Sequence, residues 1–191
     1  MISLNTLTME YRIPVDQTGL EALLLDLAAG DQEALAQLYH RTRTAVFGLA
    51  LSYLKCRADA EDVTQDTFVR AWENAPGYRP QGKPLAWLLA IARNLSLMRL
   101  RERNRTTELP EEDWALPDTG GALTAEDRTV LTAALRLLDG EEQRIVLLHA
   151  VTGLKHREIA ESLSLPLSTV LSKYHRALKK LRMKLEGDDT L

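Results

Sequence analysis

Four carboxylates crowd one short stretch: Asp59, Glu61, Asp62 and Asp66, with Gln65 among them. Such groups can move protons, hold a divalent cation, meet the positive end of a helix, or dock on a basic partner. Catalysis or metal binding would need more ligands, and this segment has no histidine and no second acidic cluster. His40, His149, His156 and His175 are scattered, with no HExxH spacing. No P-loop, GxSxG or GxGxxG is present. The chain is therefore expected not to be an enzyme, with no catalytic residue, no metal site and no cofactor. Capping accounts for part of the acids, since Asp59 and Asp62 look like a helix N-terminal pair. The excess suits a basic partner.

Two basic blocks carry the opposite chemistry. Residues 99–105 have a net charge of +3, and residues 173–184 a net charge of +6 with no acid among them. Between them, residues 106–127 have a net charge of −7 with no base. The whole chain averages to −3, which hides this pattern. Phosphate binding responds to local charge, so the blocks, and not the average, bear on nucleic acid. In the second block Ser168, Thr169, Ser172, Lys173, Arg176 and Lys179 share one face of a helical stretch, with Leu171 among them. Hydroxyls and cations of this kind reach base edges and phosphates from the major groove. Before the first block, Trp87, Ile91, Asn94, Met98 and Arg101 fall on one helical face. An aromatic, an amide and arginines together suit an unstacked strand, although a tryptophan at this spacing equally suits a core.

These groups must be positioned by helices. Leu20, Leu23, Leu24 and Leu27 follow the helical period, and Gly30 ends that run. Asp31 caps a second helix with Leu35, Leu38, Val46, Leu49 and Tyr53. A third carries Val63, Phe68, Ala71 and Trp72 and stops before Pro76 and Gly77. Pro84 opens a fourth, striped by Leu85, Leu88, Leu89, Ala92 and Leu95. Thr124 caps a further helix with Val130, Leu131, Ala134, Leu135 and Leu138. Asp139 and Glu142 form a capping box before Ile145, Val146 and Leu148, and Gly153 ends that helix. A short helix over about 156–163 turns Ile159, Ala160 and Leu163 inward. After the turn at Ser164, Leu165 and Pro166, a helix from about Leu167 buries Val170, Tyr174, Leu178 and Leu181. The short turn, the small Ala160 and the one-sided polarity read as a helix-turn-helix.

Composition agrees with an all-α chain. Aromatics are 5% of the 191 residues, and Gly (10) and Pro (7) are few, which disfavours an all-β fold. Hydrophobic residues at 45% exclude general disorder. The longest apolar stretch, 20–29, is broken by Glu21 and Asp26, so no membrane span is expected. Met1 to Gly19 lacks a signal-peptide pattern, and Cys56 alone permits no internal disulfide. Residues 104–123 hold Pro110, Pro117, Gly120 and Gly121 without a period and read as a linker. The organisation expected is an arm over 1–19, a helical domain over 20–105, a flexible acidic linker over 106–123, a helix-turn-helix domain over 124–186, and a tail over 187–191.

Taken together, three stretches resemble the extracytoplasmic-function class of bacterial sigma factors. They are GDQEALAQLY at 30–39; DAEDVTQDTFVRAW at 59–72 with AWLLAIARNL at 86–95; and the helix-turn-helix at 153–181. The resemblance covers about residues 20–185, in the order and spacing of regions two and four of that class. It implies a cytoplasmic specificity subunit of RNA polymerase, contacting the β′ and β subunits of the core enzyme and promoter DNA. Asp59, Glu61, Asp62, Gln65 and Asp66 would then dock on a coiled coil of β′. Tyr78, Arg79, Lys83, Trp87, Asn94 and Arg101 would melt and hold the −10 element. Ser168, Thr169, Ser172, Lys173, Arg176 and Lys179 would read the −35 element, and the acidic linker would thread the RNA path. Departures from the family pattern are Met98 in place of an acid, Ser164 in place of glycine, Pro166 in place of a small polar residue, and Leu171 in place of a base.

The class also implies control by an anti-sigma factor, often membrane-tethered, which would hold the chain near the membrane without insertion. A linker of this composition predicts domains that sample open arrangements and clasp a third chain. Leu171, Met98 and Trp87 would offer that chain apolar contacts. A free-standing helix-turn-helix regulator is the alternative, but it has no need of the acidic helix or the Trp87 helix. A purely structural helical protein would leave the basic helix without a purpose.

Overall fold

The computed structural model describes residues 16–106, 132–152 and 154–187. Every element in them is helical: α1 (Gln17–Ala28), α2 (Gln32–Leu54), α3 (Arg57–Asn74), a 3-10 turn (Ala75–Gly77), α4 (Pro84–Thr106), α5 (Gly140–Thr152), α6 (His156–Leu163) and α7 (Leu167–Gly187). Residues 132–135 are also helical. The arm before residue 16, the linker body, Thr124, Val130, Leu131 and Gly153 lie outside the described residues.

Helix α2 is the axis of the molecule. The Asp31 side chain accepts the N–H of Glu33 at 2.8 Å and so caps its start, as its type predicts. From Ala45 to Leu54 it carries no charged residue, and it is buried on more than one side. Helices α1, α3 and α4 close around it and bury Leu20, Leu24, Leu38, Leu49, Leu88 and Leu89. The buried hydroxyls of Thr42, Thr64, Thr67 and Ser96 each donate to the carbonyl four residues back, at 2.6–2.8 Å. These four hydroxyls are thereby satisfied without a long-range partner. The C-terminus of α2 turns at Lys55, in the left-handed region at φ 57°, with its N–H on the Leu51 carbonyl.

Helix α3 starts earlier than its acids suggest. Its N-cap is Cys56, so Asp59 and Asp62 lie within the helix and are not a capping pair. The expected box before α5 does form: Asp139 accepts the N–H groups of Glu141 and Glu142, and Glu142 accepts the N–H of Asp139. The helix-turn-helix boundaries fall where the periodicity puts them. At the corner Ser164 sits at φ 58°, ψ 42°, and the N–H of Leu165 reaches back to the Ala160 carbonyl at 2.9 Å. A glycine would take this conformation more readily; here serine takes it.

The open arrangement expected from the linker is not the one observed. Helix α5 packs on α2 and α6 packs on α4. Ile145 and Leu148 join the cluster that holds Leu49 and Leu89, and Leu147 joins one with Leu51 and Leu54. The Arg144 guanidinium lies 4.2 Å from the Tyr53 ring centroid, and Lys55 donates to Gln143. The physical reason is the second apolar side of α2, which the first four helices alone leave uncovered.

Candidate nucleic-acid interface

Helix α7 presents the first surface. Val170 and Ala177 are fully buried, with Tyr174 and Leu181 beneath the same face and Leu178 half-buried. The Tyr174 ring meets the stacked pair His149 and His156 edge-on, with centroids 5.0 and 4.5 Å away. These two histidines thus serve the packing of the corner. On the outside, Ser168, Ser172, Arg176 and Lys179 are exposed, and Thr169 is half-buried. The Ser172 hydroxyl donates to the Ser168 carbonyl at 2.8 Å, which uses its proton and leaves the oxygen an acceptor.

Lys173 departs from the expected set. Only 17% of its side chain is exposed, and its ammonium lies 3.2 Å from Asp139 and 3.1 Å from Glu141. Burial works against the charged lysine, but those two carboxylates outweigh it and hold its pKa above the ordinary value. Burial likewise works to raise Asp139. The Glu142 N–H and Lys173 outweigh it, so Asp139 stays below the usual carboxylate value. Glu142, nearly fully buried, accepts from Lys180 at 2.6 Å and faces Arg176 at 4.0 Å. Asp139 and the two acids in the first turn of α5 therefore steady Lys173 and Lys180, and Arg176 and Lys179 are exposed. Sequence reasoning placed Asp139 and Glu142 only in a cap and gave Glu141 no role.

The second surface is a cleft of about 460 Å³ between α3 and α4, lined by Arg70, Asn74, Trp87, Ile91, Asn94 and Leu95, with Gly77 at its edge. Both readings of Trp87 hold in part, for its ring rests on the core and also lines this cleft. The Tyr78 ring packs edge-on against it, 5.1 Å between centroids. Arg79 and Lys83 are exposed on the connecting loop. Arg101 is exposed on α4 but lies seven residues beyond Asn94, about 10 Å along the axis, outside the cleft. Met98 is 53% exposed between them.

The loop is held from both sides. One oxygen of Glu21, on α1, accepts from the Tyr78 hydroxyl at 2.9 Å and from the N–H groups of Gln81 and Gly82 at 2.9 and 3.0 Å. Burial first, and then the Glu21 anion, push the Tyr78 phenol up to about 12. On the other side Lys83 pairs with Glu161 of α6 at 2.6 Å. Neither acid was singled out from the sequence as part of a site.

The acidic helix divides. Asp62, Gln65 and Asp66 are exposed on one face of α3 beside Val69, itself 55% exposed. Asp59 turns toward α4, where it meets Arg99 at 3.1 Å and Arg103 at 3.8 Å. That hydrogen bond and the Asp59 charge raise the Arg99 pKa. Asp62 reaches Arg99 only at 3.6 Å, and Glu61 pairs with Arg57 at 2.8 Å. Among the described residues no group of three or more His, Cys, Asp or Glu converges on a metal site, and no helix is long and apolar enough to cross a membrane.

Known proteins share this arrangement. The Sigma-70 region 2 family matches residues 38–106, and the Sigma-70, region 4 family matches residues 128–181. The ECF RNA polymerase sigma factor SigK of Mycobacterium sp. (strain KMS) is 30% identical over 190 residues, covering 94% of this chain and 97% of that one. SigK of Mycobacterium tuberculosis (strain ATCC 25177 / H37Ra) is 30% identical over 175 residues, covering 86% and 92%. Among solved structures, CnrH in complex with the cytosolic domain of CnrY superposes with a TM-score of 0.63 at 27% identity, over 90% of this chain and 99% of that one. The sigma factor RpoE in complex with the anti-sigma factor NepR, from Bartonella quintana, gives 0.66 at 25% identity, over 79% and 96%. The two family matches fall on the two helical units in chain order, and the relatives align across both. The chain belongs to the extracytoplasmic-function class of RNA polymerase sigma factors.

Proposed function

We propose that this chain binds core RNA polymerase, through its β′ and β subunits, and directs it to promoters as a non-enzymatic specificity subunit in the cytoplasm. Docking uses the exposed acids Asp62 and Asp66 with Gln65 and Val69. Asp59 and Glu61 hold that face in place through Arg99 and Arg57. Residues 20–105 capture the −10 strand: Trp87 and Asn94 receive bases in the cleft, while Arg79, Lys83 and Arg101 meet phosphates. Residues 124–186 read the −35 duplex, with Ser168, Thr169, Ser172, Arg176 and Lys179 foremost and Lys173 as support. Residues 106–123 join the two. The observation that carries the reading is the pairing, in one chain, of a groove-sized polar helix with an aromatic cleft suited to unpaired bases.

Control by an anti-sigma factor belongs to the same reading. RpoE was solved bound to one, and this chain has apolar side chains exposed beside both working surfaces, Leu171 at 37% and Met98 at 53%. Such side chains suit a partner helix. Run-off transcription with purified core polymerase tests the function. Promoter-dependent transcripts are expected only when the chain is added. Absence of any transcript across genomic promoter fragments overturns the reading. Reversing Asp62 and Asp66 to lysine should weaken core binding without loss of helicity, and an unchanged affinity removes that docking face.

A further inference from the structure

We infer that Glu21 is a positioning residue for strand capture: its carboxylate shapes the loop of residues 78–83 that carries the −10 contacts. The inference rests on the −10 reading above. Three donors converge on one Glu21 oxygen, two of them consecutive backbone N–H groups and the third the Tyr78 hydroxyl. Consecutive N–H groups aim at one point only when the chain is bent, and Gly82 makes that bend at φ +68°. Tyr78 passes the constraint to Trp87 through the edge-on contact, and Trp87 lines the cleft. The bend also fixes where Lys83 leaves the loop.

The anchor is rigid on its own side. Leu20, Leu24 and Leu27 are buried at 2% exposure or less, so α1 holds Glu21 in place from below. The donors keep the carboxylate below its ordinary pKa, the Gly82 N–H most of all, so it is an anion at neutral pH. An anion beneath a phosphate-facing loop would ordinarily repel the strand. Here its charge is directed into three donors, which lessens that repulsion. Glu21 lies before residue 38, outside the stretch that matches region 2, so the family match gives it no role.

The test uses holoenzyme assembled with core polymerase. The probes are a single-stranded oligonucleotide carrying the non-template −10 segment of a promoter found by run-off transcription, and a duplex carrying its −35 segment. Glu21→Ala should bind the strand about tenfold more weakly, as expected for losing hydrogen bonds to a charged acceptor. Glu21→Gln keeps one acceptor oxygen and should restore part of the loss. Both should bind the −35 duplex and unfold with heat as the native chain does. Equal losses on strand and duplex, with a lowered melting temperature, would mean a structural role only and overturn the proposal. Wild-type strand affinity in Glu21→Ala, while Trp87→Ala weakens it, also overturns it and leaves the −10 reading standing. If Trp87→Ala is silent too, the −10 reading falls and takes this role with it.

Discussion

The helix-turn-helix corner and the loop of residues 78–83 both present polar side chains outward, yet they are held in opposite ways. The corner is made by buried Ile159, Ala160 and Val170 and by a backbone bond across Ser164. Its outer side chains stand on a helix and project at fixed spacing. The loop has no regular backbone pairing, and its shape depends on the Glu21 carboxylate, the Lys83–Glu161 ion pair and one aromatic contact. The difference follows the targets. A duplex groove is stiff and repeats, so its reader needs a fixed pitch. An unpaired strand bends to its receptor, so a cleft and a braced loop serve it.

The largest break should come from the corner. Ile159→Ala removes a fully buried side chain and should cost about 2–5 kcal/mol in denaturant unfolding, with loss of −35 duplex binding. Because Ile159 shares its apolar cluster with Leu88 and Leu89 of α4, strand binding should fall as well. Strand binding that survives intact would make the two readers independent. Next, Trp87→Ala should weaken strand affinity by about 1–3 kcal/mol and leave duplex affinity alone, as measured by fluorescence anisotropy with each probe. A loss on both probes would erase the contrast.

Arg176→Ala sharpens it from the other side. A base-edge contact would cost about 1–3 kcal/mol at one position, and a phosphate contact would lower the salt slope by about 1. Stability should stay within about 0.5 kcal/mol, since the side chain is 61% exposed. The smallest effect concerns pH. Asp139 lies below its ordinary pKa when folded, so its contribution is present above that ordinary value and fades as pH falls through the carboxylate range. Lys173 lies above its ordinary pKa, so its contribution is present below that value and fades as pH rises past it. Asp139→Asn should flatten the acid limb of the stability profile by less than about 1 kcal/mol, because half of the Asp139 side chain meets solvent. An unchanged acid limb would show that the pair adds nothing.

What the sequence revealed and what it hid separate along physical lines. Helices α6 and α7 were readable because Ile159, Ala160, Leu163, Val170, Tyr174 and Leu181 keep one period on each side of a short turn. The start of α3 was not, because Cys56 is no usual cap and Asp59 looks like one. Asp59 in fact answers Arg99, forty residues away, and Lys173 answers Asp139 across thirty-four. Such pairs leave no local spacing to detect. Glu21 was visible only as an acid interrupting an apolar run, since two of its three donors are backbone groups that any residue supplies. The contact between domains did have a signal. Ten residues of α2 without a charge, apolar around more than one side, ask for cover from two directions.

That contact bears on how the protein melts. Two modules on a tether would ordinarily lose structure one after the other, each at its own temperature. Here both apolar clusters draw side chains from α2 and from α5, so each unit loses part of its interior when the other departs. Heat should then be absorbed in one sharp calorimetric peak, with the van't Hoff enthalpy matching the area beneath it. Loosening the seam, for instance with Leu148→Ala, should split the peak in two, so calorimetry can read the grip between the reading units without DNA or polymerase present.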